Sequence, residues 1–183
     1  MGMLFYVVGP SGAGKDSLIA FARGALGGEE STLFAHRYIT RPASAGGEFH
    51  VALTNSEFSR MQRLGLFTFD WESHGLRYGV GVEVQFWLER GANVVLNGSR
   101  AYLPIARQRI PRLTPVVIEV SPETLRGRLE NRGRESAREI EDRVARAGKF
   151  VVADPDAVHI QNNGPLEDAA DRFVSLLRSA SVG

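Results

Sequence analysis

The sequence contains no cysteine, so neither a disulfide framework nor a thiolate metal site can be built from it. Charged residues make up 23% of the chain and the net charge is only +1, which argues against a general nucleic-acid or membrane-surface binder. The apolar run Met3 to Val8 is too short to span a membrane, which needs about 20 apolar residues. It also lacks the basic lead-in and cleavage site of a signal peptide. We therefore expect a cytoplasmic protein that binds neither nucleic acid nor membranes.

The 183 residues, 43% of them hydrophobic, suit one compact α/β domain. Short apolar runs typical of buried strands alternate with helical patterns, which predicts a parallel sheet covered by helices on both faces. The predicted strands are Leu4–Val8, Asn93–Leu96, Pro115–Val120 and Ala157–Ile160. The predicted helices begin near Ser17 and otherwise run over Val82–Arg90, Tyr102–Arg109, Pro122–Asn131, Ala137–Phe150 and Leu166–Arg178.

The stretch from about 36 to 81 breaks this alternation, because it mixes turns, short β-like pieces and many Arg, His, Glu, Asp and Tyr residues. We interpret it as a substrate-binding region inserted into one domain of residues 1–183. The core would then comprise residues 1–35 and 82–183.

The motif Gly9-x-x-x-x-Gly14-Lys15 follows a predicted strand and opens a predicted helix, as the P-loop does. Backbone N–H groups of such a loop wrap phosphate oxygens at a helix N-terminus, and Lys15 would bridge the β- and γ-phosphates. The motif therefore predicts binding of ATP, or a similar nucleotide, with Mg²⁺. The predicted nucleotide-binding residues are Gly9, Pro10, Ser11, Gly12, Ala13, Gly14, Lys15, Asp16 and Ser17.

Asp16 departs from the motif, which has Ser or Thr after the lysine as a hydroxyl ligand to Mg²⁺. A carboxylate is also a good ligand for Mg²⁺, directly or through water. We expect Asp16 in the metal shell, with Ser17 as the alternative.

Arginines recur after residue 126, where Arg128 and Arg132 share a helix face and Arg143 follows. Such arginines could form a solvated basic face paired with the glutamates among them. Downstream of a P-loop, they are better interpreted as a lid, at about 126–146, that stabilises charge on the transferred phosphoryl group. Lys15, Arg128, Arg132 and Arg143 are thus the predicted catalytic residues.

The chain resembles the guanylate kinase family over nearly its whole length. Its P-loop, the lid arginines, Thr40-Arg41-Pro42 with Gly47-Glu48, and Tyr78-Gly79 look like motifs of that family. The resemblance implies a P-loop NTPase fold, and it implies that Asn162 contacts adenine. The departures lie where the family reads the nucleotide acceptor: Ser44 and Arg37 at phosphate positions, Asp70 for a glutamate, and Asn97 for an aspartate.

One branch is closer still. Strings such as Ala35-His-Arg-Tyr-Ile-Thr-Arg41 and Asn97-Gly-Ser-Arg100 resemble the ribose 1,5-bisphosphate phosphokinases. This resemblance implies that ATP phosphorylates the 1-phosphate of a sugar bisphosphate to give 5-phosphoribosyl 1-diphosphate. The implied acceptor site contains His36, Arg37, Arg41, Asp70, Tyr78, Asn97, Ser99 and Arg100.

For several of these side chains, a purely structural role stays open as an alternative to substrate binding. His36 could be structural, Arg37 could be a surface ion-pair residue, and His50 and His74 are expected to be structural or exposed. Trp71 and Trp87 are expected in the core. For the whole chain, the rivals are a nucleoside-monophosphate kinase with a rebuilt pocket and a non-catalytic binding module. The chain could be a monomer or a homodimer.

Overall fold

The protein was analysed as a computed structural model that describes residues 1–28, 31–45, 50–133, 135–149 and 151–180. No helix within these ranges is long and apolar enough to cross a membrane. In chain order the elements are β1 (Leu4–Val8), α1 (Lys15–Ala25), β2 (Thr32–Phe34), β3 (Arg37–Ile39), β4 (His50–Ala52), α2 (Asn55–Arg63), β5 (Phe67–Ser73), β6 (Leu76–Gly81), α3 (Glu83–Glu89), β7 (Asn93–Asn97), α4 (Leu103–Arg109), β8 (Leu113–Glu119), α5 (Pro122–Arg132), α6 (Ala137–Gly148), β9 (Val158–Gln161) and α7 (Leu166–Ser179).

A five-stranded parallel sheet in the order β2-β7-β1-β8-β9 forms the middle layer. Every residue of β1 and β7 is buried, as expected of strands covered on both faces. Helices α1 and α7 pack on one face of the sheet, and α3 and α4 pack on the other. The predicted three-layer α/β fold is therefore confirmed.

A second, four-stranded sheet in the order β4-β3-β6-β5 occupies the stretch that interrupts the alternation. Strands β5 and β6 form a hairpin whose turn residues His74 and Gly75 have φ of 51° and 74°. Phe69 and Val80 of this hairpin join the hydrophobic core between the parallel sheet and α3 and α4. The small sheet is thus fixed to the same side of the parallel sheet as those two helices.

Helices α5 and α6 pack against each other and form a small unit beside the loop that follows β1. They share an apolar cluster of their own, made of Leu125, Leu129, Ile140 and Val144. Gly133 ends α5 in the left-handed conformation that favours glycine, and Ser136 begins α6 with a capping box. The predicted lid residues lie mostly on these two helices, although Arg134 falls outside the described residues.

The remaining differences from the predicted elements have simple causes. Strand β2 has three residues and α2 buries only Phe58, so neither shows a clear hydrophobic period in the sequence. The helix predicted to reach Phe150 ends at Gly148, and Phe150 itself lies outside the described residues. The other predicted strands and helices are present with ends shifted by a few residues.

Candidate active site

The glycine-rich loop joins β1 to α1 and needs its glycines for geometric reasons. Gly12 and Gly14 have φ of 93° and 90°, which strains any residue with a Cβ atom. The Lys15 ammonium donates to the carbonyls of Gly9 and Pro10 at 2.7 and 3.0 Å. The lysine is therefore folded over the loop, next to where phosphate oxygens would meet the backbone N–H groups.

Asn162 holds this loop in place through a buried hydrogen bond. Its side chain is 1% exposed, and its amide donates to the Ala13 carbonyl at 2.7 Å. Arg128 donates to the Asn162 side-chain carbonyl at 3.4 Å and to the Ala13 carbonyl at 3.5 Å. A Cβ on Gly14 would lie 2.5 Å from the Asn162 amide nitrogen, so the contact also requires glycine there. In this structure Asn162 holds the loop, while its adenine contact stays a prediction.

Replacing Asn162 with alanine should loosen the loop. We expect the free energy of unfolding to fall by about 1–3 kcal/mol, because the buried Ala13 carbonyl loses its amide partner. The KM for ATP should rise at the same time, because the loop is less well ordered before the nucleotide binds. Thermal denaturation measures the first effect, and steady-state kinetics with ATP varied measure the second. An Asn93→Ala variant, which removes a buried asparagine at the far end of β7, serves as the control. An unchanged KM in a destabilised variant would contradict the supporting role.

A small cavity of about 160 Å³ lies beside the start of α1. Seven residues line it: Ser11, Gly12, Gly14, Lys15, Asp16, Ser17 and Arg132. The Asn97 side-chain amide, at the end of β7, donates to the Asp16 carboxylate at 2.7 Å. This cavity therefore brings together a lysine, an arginine and a carboxylate, the groups that a nucleotide phosphate and its divalent cation require.

Arg143 connects the second lid helix to the loop. Its guanidinium lies 3.5 Å from the Ser11 hydroxyl and forms an ion pair with Glu135 at 3.1 Å. A cleft of about 500 Å³ opens next to this contact, between the loop, α6 and the region after β7. Besides the loop, its lining residues are His74, Arg100, Arg143, Arg146 and Ala147. Four of these five side chains can be cationic, so the cleft suits an anionic molecule.

Tyr6 fixes the segment that follows β7. Its hydroxyl accepts from the Ser99 N–H at 3.0 Å and lies 3.2 Å from the Ser99 carbonyl, and burial raises the pKa of Tyr6. Gly98 is required here, because a Cβ would lie 2.1 Å from the Tyr6 ring. Arg100 follows directly and donates to the Lys149 carbonyl at the end of α6, at 2.9 Å. Ser99 and Arg100 are thus held at the edge of the cleft, and Arg100 also contacts the residue that follows α6.

The predicted acceptor residues Arg37 and Tyr78 lie together on the four-stranded sheet. The Arg37 guanidinium lies over the Tyr78 ring at 5.4 Å, and Trp71 stacks on the ring with an interplanar angle of 3°. Trp71 also contacts Tyr102, near Ser99. A line of aromatic rings therefore connects the small sheet to the end of β7. Trp71, expected to be a core residue, is only partly buried and packs against the core as part of this line.

Arg41 is held by His50. One guanidinium nitrogen lies 3.4 Å from His50 Nδ1, and His50 Nε2 lies 3.2 Å from the Arg41 carbonyl. The buried Arg41 Nε has no hydrogen-bond partner among the described residues. Such a donor fits an arginine that awaits an anionic ligand. The neighbouring Gly47-Glu48, predicted to belong to the same phosphate loop, lies outside the described residues.

Two further predicted acceptor residues, Asp70 and His36, have surroundings that do not point to phosphate binding. Asp70 accepts from the Gln62 side chain at 2.7 Å, so α2 orients it. His36 is half-buried between β2 and β3, and burial, followed by the charge of Arg23, lowers the pKa of His36. A neutral imidazole is therefore favoured near pH 7, and His36 suits hydrogen bonding better than charge neutralisation of an acceptor phosphate.

The donor set near the loop fits Mg²⁺. Within the described part of the chain, no group of three or more His, Cys, Asp or Glu side chains forms a metal cage. Asp16 alone lines the phosphate cavity as a carboxylate. One carboxylate combined with substrate phosphates and water is a common way for proteins to hold Mg²⁺.

Relatives of known name match this chain over nearly its whole length. Ribose 1,5-bisphosphate phosphokinase PhnN from Thiobacillus denitrificans is 53% identical over 181 residues, covering 99% of this chain and 95% of the relative. Relatives of the same name from Desulfomicrobium baculatum and Chromobacterium violaceum are 50% and 51% identical, covering 100% and 97% of this chain and 97% and 94% of their own lengths. This chain belongs to the ribose 1,5-bisphosphate phosphokinase family. The resemblance inferred from its motifs is confirmed, although no family model matches the chain.

The crystal structure of guanylate kinase from Anaplasma phagocytophilum is similar in fold. The two structures have a TM-score of 0.65 at 20% sequence identity, and the match covers 100% of this chain and 87% of the other. At that identity the likeness concerns the fold alone. It confirms the expected guanylate kinase-like P-loop architecture and carries no information about the acceptor.

The sequence did not single out several residues that the structure places at the site. Tyr6 lies within an apolar strand run and looked like an ordinary core residue. His50 and His74 were expected to be structural or exposed, and His50 does hold Arg41 while His74 is exposed; the sequence did not show that these positions lie at the site. Only long-range contacts identify these roles.

Proposed function

We propose that this chain is a kinase that transfers the terminal phosphoryl group of ATP to the 1-phosphate of ribose 1,5-bisphosphate, giving 5-phosphoribosyl 1-diphosphate and ADP. The observation that supports this acceptor is the 53% identity, over almost the full length, to a relative named ribose 1,5-bisphosphate phosphokinase. The loop and lid geometry supports phosphoryl transfer, because Lys15, Arg132 and Arg143 all lie next to the glycine-rich loop.

On the donor side, loop N–H groups and Lys15 hold the triphosphate, and Arg132 faces it across the small cavity. Arg128 shares the Ala13 carbonyl with Asn162, so it can respond to loop occupancy and add positive charge near the phosphates. Arg143 can move from Ser11 onto the transferred group when the lid closes. These cations stabilise charge that develops during transfer, which is most of what a phosphoryl-transfer catalyst does.

Asp16 would hold Mg²⁺ together with phosphate oxygens, and the bound cation would supply charge neutralisation on the triphosphate. Asp16 is exposed to the small cavity, and one of its oxygens is already engaged by Asn97. Ser17, the alternative ligand, lines the same cavity from the next position of α1.

On the acceptor side, residues 36–81 would form the substrate-binding region. Arg41 offers a buried Nε donor, Arg37 lies against Tyr78, and Arg100 lines the cleft. An acceptor phosphate oxygen is anionic at neutral pH, so the chain needs no strong general base. Alignment of donor and acceptor by these arginines would make the main contribution to the acceleration of the reaction. Closure of the lid, at about 126–146, would exclude water and suppress hydrolysis of ATP.

The acceptor is tested by measuring ADP release with ribose 1,5-bisphosphate, ribose 5-phosphate and GMP under identical conditions. We expect rapid release only with the bisphosphate, together with formation of 5-phosphoribosyl 1-diphosphate. GMP is the necessary comparison, since the fold is that of a guanylate kinase. Efficient use of GMP and none of the bisphosphate would establish a nucleotide kinase instead. A lack of turnover with every acceptor would favour a non-catalytic module.

A further inference from the structure

We infer that Asn97 acts as a positioning residue for Asp16, and that it sets the divalent-cation affinity of the site rather than holding the acceptor. This inference rests on the proposed role of Asp16 as the carboxylate that binds Mg²⁺. It changes the role predicted for Asn97, which the motif resemblance placed among the acceptor-binding residues.

The contact joins two elements that are far apart in sequence. Asn97 ends β7 and pairs in register with Val7, the residue before the last of β1. Asp16 is the second residue of α1, on the other side of the glycine-rich loop. The Asn97 amide nitrogen lies 2.7 Å from Asp16 Oδ1, although the residues are 81 positions apart. This hydrogen bond therefore connects the start of α1, where the loop ends, to β7, the neighbour of the strand from which the loop begins.

The burial of the two side chains differs in a way that suits a support and a ligand. Asn97 is 9% exposed and belongs to a strand in which every residue is buried. Asp16 is exposed and lines the cavity that also contains Lys15 and Arg132. A rigid donor thus engages one carboxylate oxygen, and the other oxygen remains available to the cavity. Hydrogen bonds of this kind orient metal-binding carboxylates in proteins.

The chemistry of an amide explains why asparagine suits this position. The hydroxyl oxygen of the Ser or Thr that usually follows the P-loop lysine is placed by one torsion, whereas the oxygens of an aspartate carboxylate depend on two. The Asn97 N–H removes part of that freedom. A second carboxylate at the same separation would repel Asp16, and the two could not both stay ionised easily. The amide supplies a donor without adding negative charge next to a triphosphate.

The test is a double-mutant cycle on Mn²⁺ binding. The variants Asp16→Asn, Asn97→Ala and the double variant are saturated with ADP, and free Mn²⁺ is titrated by electron paramagnetic resonance. Loss of a supporting partner typically weakens metal affinity about 10- to 100-fold, and we expect that loss for Asn97→Ala. In the Asp16→Asn background the same substitution should change the affinity less than about twofold, since the carboxylate it orients is gone.

Asn93→Ala is the matched control, because Asn93 is the same residue type at the opposite end of the same strand. It is also buried, and its side-chain oxygen accepts from the Met3 N–H at 2.9 Å. The control should lower thermal stability and leave Mn²⁺ affinity unchanged. Asn97→Ser provides a second variant if Asn97→Ala does not fold, because serine keeps a polar group but is too short to reach Asp16.

Each outcome has one meaning. Unchanged Mn²⁺ affinity in Asp16→Asn would overturn the metal role of Asp16, and the inference with it. Weaker binding in Asp16→Asn but normal binding in both Asn97 variants would overturn the inference alone and leave the proposed function intact. An equal loss from Asn97→Ala in both backgrounds would show a structural effect and also overturn it. Strong non-additivity, with a silent Asn93→Ala, supports the positioning role.

Discussion

Lys15→Ala is expected to lower kcat by about 100- to 1,000-fold, the scale seen when one preorganised charge-stabilising donor is lost. The Lys15 ammonium lies over the glycine-rich loop, donating to the Gly9 and Pro10 carbonyls, and the N–H groups of the same loop would hold the β- and γ-phosphates. The fold should survive, because alanine is a good helix former at the first position of α1 and water can solvate both carbonyls. Steady-state kinetics and thermal denaturation of the same preparation measure the two quantities.

Lys149→Ala is the natural control, since Lys15 and Lys149 are the two lysines of the chain. The Lys149 side chain is exposed at the end of α6, and the variant should turn over normally. Removing either lysine changes the net charge equally, so a difference between the variants reflects position alone. Near-normal turnover of a folded Lys15→Ala variant would rule out the P-loop mechanism.

The sequence predicted the parallel sheet, its covering helices and the glycine-rich loop, because each depends on local information. A buried strand such as β1 is a continuous apolar run, and the loop glycines are specified by backbone conformation. Capping residues such as Ser121 with Pro122 mark helix starts directly. Local periodicity and turn chemistry are therefore sufficient for these parts of the fold.

The rest depends on contacts between residues distant in sequence. Asn97 and Asp16 meet only because β7 lies beside β1, and sequence comparison of the motifs treated them as two separate departures. The support of Ala13 by Asn162 likewise requires β9 to lie near the loop. Motifs nominated candidate residues for the site, and the strand order then showed which side chains they contact.

The small sheet was the least predictable part. Its strands β3 and β4 have three residues each, which is too few for an alternating pattern to stand out. Arg41 and His50 come from either side of residues 46–49, so their contact could not be read from spacing. The sequence placed Arg41 at the acceptor site and predicted that His50 is structural or exposed, but it did not show that the histidine contacts the arginine.

Arg41→Ala is expected to weaken the use of ribose 1,5-bisphosphate about 10- to 100-fold in kcat/KM, with little change in the KM for ATP. A charge-assisted hydrogen bond to a buried phosphate typically contributes about 1.5–3 kcal/mol, which corresponds to that range. Arg41 has the buried donor that such a phosphate would satisfy, and His50 already orients its guanidinium. Initial rates with each substrate varied in turn separate the two KM values.

Arg77→Ala is the matched control for this prediction, because Arg77 lies on the same small sheet but has protein partners. It donates to the Ser59 hydroxyl at 2.7 Å and lies over the Phe58 ring at 4.3 Å. Its loss should reduce stability while the KM for the bisphosphate stays nearly normal, although the net charge changes by the same amount. Equal effects of the two variants on that KM would show that general positive charge attracts the acceptor, and would argue against a specific phosphate contact by Arg41. A large rise in the KM for ATP in Arg41→Ala alone would instead place Arg41 on the donor side of the reaction.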